Sequence, residues 1–366
     1  MHQVLAQGIK KGTDTVNLIR IIREFALKIF DNLNWLKRGE TVLIKLPVNS
    51  IDPYPATGHV LALTVLVHLI KQKGGIPFVG DQSGIEYVLQ GPNGVVRGST
   101  HQCFKQSGLW IDGVKYIAFE NDAWRSFKHF QDPNATNWPG GFHVTRWINE
   151  VDHIIALPRI SAHGQSGVTL GAKNWVGILR QDSRLNFHAQ GPLYFYITYK
   201  AIGSNLHAER LEQLDFFKMI TEIQLAIQSK LRGTMFIATE VQTTMGPNKF
   251  LLNELGINFF RSHVVKPETG LLIGSQDPVA CDAVALAFLF DCYKHTPKMA
   301  RFWQRLLMAV TGNFKELGTY SVWDNPFISH GLELDLGQKI TNPHDPNQLS
   351  ISDAPDLDRR IIDILT

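Results

Sequence analysis

The feature that most constrains the fold of this chain is a strand, a helix and a second strand in close succession. TVLIKLPV (Thr41–Val48) is typical of a buried strand, and IPFVGD (Ile76–Asp81) of another. Between them, HVLALTVLVHLIKQKG has the length and the apolar spacing of a helix that ends at Gly74. Two strands joined through a helix lie parallel in one sheet, with a right-handed crossover. This segment therefore predicts an α/β protein.

A second alternation of strands and helices follows from residue 151. Strands are predicted for HIIALP (153–158), TMFIAT (234–239) and TGLLIG (269–274). After the last of these, Asp277 is suited to cap a helix in which Pro278 takes the first position. We therefore expect an α/β fold with a mostly parallel sheet or sheets flanked by helices, built from two Rossmann-like βαβ halves.

Three further segments complete the predicted organisation. Apolar residues at steps of three and four from Val16 to Leu36 predict a long amphipathic helix. Residues 119–150 are rich in aromatic residues, Pro, Gly and Asn without a clear period, which predicts an irregular insertion. This insertion would separate the halves 1–118 and 151–325 of one α/β domain. Residues 326–366 are predicted to be a C-terminal extension that packs on that domain.

Composition excludes several classes of function. The net charge of the 366 residues is +3 and the Lys and Arg residues are scattered, which argues against a nucleic-acid-binding protein. The three cysteines, Cys103, Cys281 and Cys292, form no CxxC pair, so neither a disulfide framework nor a cysteine-ligated iron–sulfur cluster is expected. No apolar run reaches the roughly 18–20 residues of a membrane span, and the N-terminus lacks signal-peptide features. We expect a cytoplasmic protein whose oligomeric state the sequence leaves open.

The stretch SAHGQSGVTLGAKNWVGIL (Ser161–Leu179) contains four glycines and follows a predicted strand. Gly164 and Gly167 would let a ligand approach the main chain closely. A helix predicted to begin near Val168 would present free N–H groups and its positive dipole end to an anion. The glycine spacing differs from that of a phosphate-binding P-loop and of a hydrolase nucleophile elbow. Ser166 is therefore not predicted to be a nucleophile.

Three polar side chains of the same stretch are predicted to bind this ligand. Thr169 and Lys173 are four residues apart, so on the predicted helix they would share a face and bring a hydroxyl and an ammonium group to one anion. Asn174 follows them directly. The alternative is that small residues in this stretch only let the helix pack tightly against the sheet. These small residues are Gly171, Ala172 and Gly177.

Polar residues also follow other predicted strand ends, where open α/β sheets bind their ligands. His163 and Asp81 are the candidates for catalysis, as acid–base groups or as metal ligands. Asp81 has the alternative of pairing with Lys45, and Ser83 that of capping a helix that should begin there. His153 lies within a strand pattern and is predicted to be structural. The remaining candidate ligand-binding residues are Lys45, Asn49, Ser83, Arg159 and Asp282.

Five segments of the chain occur in an order that is shared with a known family. They are TVLIKLPVNS, GGIPFVGDQSG, CFKQSGLW, IIALPRISAHGQSGVTLGAKNWVGIL and LLIGSQDPVACDAVALAFL. Together, from Thr41 to Phe290, they resemble the domain-of-unknown-function family 362. The resemblance implies an α/β fold, and it implies no particular reaction because none is assigned to the family in general.

The chain departs from the pattern of that family at three points. Members usually carry Pro-Lys-x-Lys-Thr-His before the histidine, where this chain has Arg159 and Ser161 in place of the two lysines. An arginine clamps an anion but does not act as a base. Thr239 stands where the family normally has an Asp, and the ferredoxin-like cysteine cluster of many relatives is absent. The resemblance therefore implies a chemistry that has changed or has been lost.

Three functions follow as hypotheses. The leading one is an enzyme or binding protein for an anionic small molecule, held at the carboxyl ends of the strands by cations such as Lys173. The second is a divalent-metal site made by His163 and Asp81 together with His188 or Asp282. The third is a non-catalytic scaffold that kept the fold and whose strand-end pocket is filled by side chains.

Overall fold

The protein is described from a computed structural model, in which eight strands form one central sheet. The residues that the structure describes are 3–164, 166–188, 215–246, 250–251, 260–308 and 316–366. The strands of the central sheet are β1 (Val4–Lys10), β2 (Thr41–Lys45), β3 (Ile76–Asp81), β4 (Lys115–Ala118), β5 (His153–Ala156), β6 (Leu231–Ala238), β7 (Thr269–Ser275) and β8 (Leu349–Ser352).

The order of the strands across the sheet is β8-β1-β7-β6-β5-β2-β3-β4. All neighbouring pairs are parallel except the two that involve β7, which runs antiparallel to both β1 and β6. Seven of these eight strands therefore point the same way, and the predicted mostly parallel α/β fold is confirmed. The two predicted halves share a single sheet, since β5 of the second half pairs directly with β2 of the first.

Helices cover both faces of this sheet. They are α1 (Thr15–Ile29), α2 (Val60–Gln72), α3 (Thr100–Gln106), α4 (Trp147–Glu150), α5 (Gly171–Asn174), α6 (Gln181–His188), α7 (Phe216–Glu222), α8 (Pro278–Lys294), α9 (Lys298–Met308), α10 (Pro326–Glu333) and α11 (Leu357–Leu365). The apolar core on one face is formed with α1 and α2, and the core on the other face with α8, α7, α10 and α11. None of the helices described here combines the length and the apolarity needed to cross a bilayer.

Two helices show how local sequence sets the boundaries. Helix α8 begins as predicted, because the Asp277 carboxylate accepts hydrogen bonds from the N–H groups of Val279 (3.0 Å) and Ala280 (2.9 Å) while Pro278 takes the first helical position. Helix α1 ends at Ile29, well before the predicted Leu36. The next residues, 31–33, all have positive φ angles between 49° and 55°, which a right-handed helix does not accommodate.

The insertion and the C-terminal segment both have local structure. Residues 119–150 contain a hairpin of Lys128–Phe130 with Phe142–Val144, and the indole N–H of Trp138 donates to the carbonyl oxygen of Met219 (2.8 Å), which ties the insertion to α7. Within 326–366, β8 extends the sheet beside β1. The guanidinium of Arg360 in α11 contacts both carboxylate oxygens of Asp291 in α8 at 3.0 and 3.2 Å.

A smaller sheet continues beyond the carboxyl ends of β5 and β6. Its strands are Gly167–Thr169, Ser161–His163, Val241–Gln242 and Val264–Val265, in that spatial order. The first two form an antiparallel hairpin, and Ser161 pairs in parallel with Gln242. The glycine-rich stretch therefore begins as a β-hairpin on top of the central sheet rather than as a strand-to-helix turn.

Candidate functional site

Strands β2 and β3 end beside each other, and the side chains at their ends form a buried ion pair. Lys45 Nζ lies 2.8 Å from Asp81 Oδ1, and the two side chains are only 1% and 2% exposed. The other oxygen, Oδ2, accepts a hydrogen bond from the N–H of Val48 (2.7 Å). Burial lowers the pKa of Lys45, and the charge of Asp81 only partly offsets this effect. Both oxygens of the candidate catalytic residue Asp81 are thus engaged within the protein, which favours the pairing with Lys45 over a catalytic role.

Asn174 and Gly177 fasten the glycine-rich stretch to this ion pair. The Asn174 amide donates to the carbonyl oxygen of Lys45 (3.1 Å) and accepts from Lys45 Nζ (3.2 Å). At Gly177, a Cβ atom would lie 1.9 Å from Asp81 Oδ1 and 3.1 Å from Lys45 Nζ. No other residue can stand there without displacing the carboxylate. Asn174 therefore contacts protein partners, and Gly177 serves the tight packing named as the alternative.

The prediction that a helix begins near Val168 is wrong, and Thr169 and Lys173 therefore do not share the face of one helix. Val168 lies in the second strand of the hairpin, and the helix α5 is a single turn from Gly171 to Asn174. Thr169 is therefore on a strand and Lys173 on a helix. The glycines explain the difference, because Gly167 has a positive φ of 73° and turns the chain back into a hairpin.

An anion does lie at the start of α5, and it belongs to the protein. The N–H groups of Gly171 and Ala172 donate to Oδ1 and Oδ2 of Asp282, both at 2.8 Å. Burial raises the pKa of Asp282 to about 7, although these two donors act to lower it. A Cβ atom on Gly171 would lie 2.6 Å from Asp282 Oδ1. The N–H groups assigned to a ligand from the sequence are therefore occupied by the Asp282 carboxylate.

Two buried arginines lie near the same stretch. Arg159 is 1% exposed and its Nη1 donates to the carbonyl oxygen of Pro55 (2.8 Å) and to Oε1 of Gln242 (3.2 Å). Burial lowers the pKa of Arg159 to about 9, against the opposing charge of Asp52. Arg184 in α6 is also buried and donates through Nη2 to the carbonyl oxygen of Ser83 (2.9 Å). The sequence did not single out Arg184, since only the packing of α6 brings it here.

Lys173 is a cation of this region for which the described residues provide no partner. Its side chain is half-buried, and within the part of the chain that the structure describes its ammonium group has no hydrogen bond and no ion pair. Burial holds the pKa of Lys173 well below its usual range, and the charges of Arg159 and Arg184 lower it further, while Glu86 opposes them. Both neighbours of Lys173 in α5 are anchored, Ala172 to Asp282 and Asn174 to Lys45.

The remaining candidates of the hairpin have mainly local contacts. The N–H of Ser166 donates to Nδ1 of His163 (3.2 Å), which makes Nδ1 an acceptor and leaves the proton of a neutral imidazole on Nε2. The N–H of Gly164 donates to the carbonyl oxygen of Gly246 (2.8 Å). Thr169 differs, because its buried hydroxyl oxygen has no hydrogen-bond partner among the described residues.

Ser83 and Asn49 hold the loops that follow β3 and β2. The Ser83 hydroxyl donates to the carbonyl oxygen of Val48 (2.7 Å), and its N–H donates to the Thr100 hydroxyl (2.9 Å). The carbonyl oxygen of Asn49 accepts from the N–H of Gly84 (2.9 Å). The prediction that a helix begins at Ser83 is wrong, since the next helix, α3, begins at Thr100.

The predicted metal site does not assemble in the part of the chain that is described. No three His, Cys, Asp or Glu side chains come together there in a way that could hold a metal ion. Asp81 and Asp282 are instead held by Lys45 and by backbone N–H groups. The side chain of His188 lies outside the described residues. His153 is at the opposite end of β5, where it contacts Glu40 and Arg232.

Comparisons with known proteins place the chain in a family. A family model described as a domain of unknown function (DUF362) matches residues 42–287, most of the chain, and the chain therefore belongs to this family. No curated protein matches it. Among solved structures, the lactate racemase apoprotein from Thermoanaerobacterium thermosaccharolyticum aligns with 72% of this chain at 13% identity and a TM-score of 0.39. The chain spans 54% of the length of that protein.

Proposed function

Starting from the membership of this chain in DUF362, we propose that it binds a small anionic molecule beside α5, with Lys173 as the principal cation and Arg159 and Arg184 flanking it. The observation that carries the proposal is the ammonium group of Lys173, which has no hydrogen bond or ion pair among the described residues while two further cations lie close enough to lower its pKa. A bound anion would relieve the repulsion among these three charges.

The position of Lys173 is fixed before any ligand arrives. Asp282 holds the first turn of α5 through Gly171 and Ala172, and Asn174 is bound to Lys45. The backbone of Lys173 therefore cannot move far, and little backbone entropy is lost when its side chain meets a ligand. The buried hydroxyl of Thr169, on the adjacent hairpin strand, is a second candidate donor.

The test is the change in melting temperature that phosphate or a small dicarboxylate produces in the native chain and in two variants. We expect a ligand-dependent rise in the native chain, because a ligand that binds only the folded state stabilises it. Lys173→Met should lose this rise, and the control Lys73→Met, at an exposed lysine that directly follows α2, should keep it. An equal response in all three proteins would contradict the proposal.

A reaction on the bound anion is a second candidate function. Because the pKa of Lys173 is low, a larger share of its amine is neutral near pH 7 than for an ordinary lysine, and a neutral lysine acts as a base or as a nucleophile toward a carbonyl carbon. With a 2-oxo acid, attack of the amine and loss of water would form an imine. His163, whose Nε2 carries a proton when its ring is neutral, is the candidate proton donor.

Borohydride reduction in the presence of a 2-oxo acid distinguishes binding from imine formation. The reaction predicts a reduced adduct on Lys173, located by peptide mass spectrometry, that is absent from Lys173→Arg. Adducts spread evenly over exposed lysines such as Lys73 would rule out the imine. The anion site would still stand in that case if a carboxylate without a carbonyl group raises the melting temperature.

A further inference from the structure

Helix α9 presents an apolar stripe to solvent. Met299, Phe302, Trp303 and Leu306 are 64%, 55%, 42% and 54% exposed. Their spacing of i, i+3, i+4 and i+7 places all four on one face of the helix. The rings of Phe302 and Trp303 also contact each other, with centroids 5.7 Å apart. An amphipathic helix normally turns this face to the core, and here it turns away.

The same helix is strongly basic. Between Cys292 and Met308 the sequence has four cations and no acidic residue. These cations are Lys298, Arg301 and Arg305 of α9 and Lys294, the last residue of α8. On a helical projection Lys298 and Arg305 lie at one edge of the apolar stripe. Three of the four, Lys294, Arg301 and Arg305, also line a cavity of about 510 Å³ beside the helix, together with Glu316, whose carboxylate accepts hydrogen bonds from Arg305 at 2.7 and 2.9 Å.

We propose that α9 is a docking surface for an anionic phospholipid membrane, with the apolar stripe inserted among the lipid chains and the basic edge against the headgroups. A stripe of large apolar side chains flanked by Lys and Arg is the arrangement of helices that lie in the plane of a membrane interface. The cavity beside the stripe gives a headgroup phosphate room, and its three cations outnumber the one carboxylate, that of Glu316, which lines it with them.

A second copy of the chain fits this surface less well. Stable protein interfaces use roughly 20–30 residues on each side. The stripe has four residues on a helix of eleven, and its basic edge would repel the same edge of a partner copy. A lipid surface needs no matching pocket and attracts the positive charge.

The test is co-sedimentation of the full chain with vesicles of phosphatidylcholine that contain phosphatidylserine, compared with vesicles of phosphatidylcholine alone. We expect binding to the anionic vesicles, reduced by added salt, and little binding to the neutral ones. The double variant Phe302→Ser/Leu306→Ser should lose roughly tenfold or more in vesicle affinity, because both apolar side chains are removed. Val16→Ser, a matched control at an apolar residue of α1 that is 78% exposed, should bind like the native chain.

Two results would overturn the proposal. One is sedimentation that does not depend on phosphatidylserine, or that the double variant does not reduce. The other is a dimer of the native chain that the double variant converts to a monomer in analytical ultracentrifugation, since a second copy would then cover the stripe. If the double variant does not fold, Lys298→Glu replaces it: reversing one exposed charge should weaken binding to the anionic vesicles, and unchanged binding would contradict the lipid surface.

Discussion

Replacing Gly177 with alanine is the sharpest test of the buried ion pair. The new methyl carbon would lie 1.9 Å from Asp81 Oδ1 and 3.1 Å from Lys45 Nζ, so the carboxylate or the turn must move by more than 1 Å. Separating a buried ion pair costs about 3–5 kcal/mol, and overpacking alone costs about 1–3 kcal/mol. The better helix propensity of alanine returns at most about 1 kcal/mol. The net expectation is a loss of about 2–4 kcal/mol in the free energy of unfolding.

Equilibrium unfolding in urea, followed by tryptophan fluorescence, measures this loss. Gly140→Ala is the matched control, because a Cβ atom there meets nothing within 4 Å and the φ angle is not positive. It should change the free energy of unfolding by less than about 0.5 kcal/mol. In a chain that already carries Asp81→Ala, the Gly177→Ala substitution should lower the free energy of unfolding by less than in the native chain, since the clashing carboxylate is gone. Equal free energies of unfolding of the Gly177→Ala and Gly140→Ala variants would refute the contact between Gly177 and Asp81.

Three further predictions concern buried charges. The pKa of Asp282 is raised from 3.8 to about 7, so the folded state holds an extra proton between these pH values. The free energy of unfolding should therefore fall by up to about 4 kcal/mol as pH rises through this window. Asp282→Asn should flatten this decline in pH-dependent urea titrations. Burial lowers the pKa of His330, but hydrogen bonds to Glu222 and Glu333 raise it more. The stability contributed by protonated His330 is therefore present at low pH and lost as pH rises through the raised pKa. In urea titrations through this range, His330→Gln should remove this loss of stability, and an unchanged curve would contradict the prediction. Arg360→Ala should lower the melting temperature and reduce the free energy of unfolding by about 1 kcal/mol, because it removes two hydrogen bonds between the half-exposed Arg360 and Asp291. An unchanged melting temperature would show that this contact does not contribute to stability.

The sequence predicted the elements that carry a strong local signal. Strand β3 has the predicted bounds, and α8 begins at the predicted cap, because short apolar runs and an Asp-Pro start are readable without tertiary context. Strand β1 was not predicted at all, since the sequence VLAQGIK does not alternate between apolar and polar residues although its burial largely alternates in the structure. The reversed direction of β7 was also not predicted, because it depends on pairing with β1, in which Lys10 meets Thr269 and Leu5 meets Gly274 from the other end of the chain.

The candidate site was harder to predict because its partners are distant in sequence. The glycines around residue 170 are compatible with both a helix start and a hairpin, and the start of α5 at Gly171 involves Asp282, whose carboxylate meets Gly171 across 111 positions. Likewise, Asp81 was recognised as a candidate, yet its contact with Gly177 depends on how the stretch folds back over β3.

The two buried carboxylates have the same structural role, and this role bears on the anion site. At Gly171 and at Gly177 the absence of a side chain makes room for an aspartate. Asp282 accepts hydrogen bonds from the start of the segment 171–178, and Asp81, paired with Lys45, packs against Gly177 near its end. A segment fixed at both ends keeps its central side chains in place even when their charges repel. Lys173 can therefore remain beside Arg159 and Arg184 with no partner among the described residues, at a position where relaxation of the backbone would otherwise separate the charges. The glycines serve packing, as the alternative interpretation proposed, and through that packing they hold in place a cation that has no partner among the described residues, on which the proposed anion binding depends.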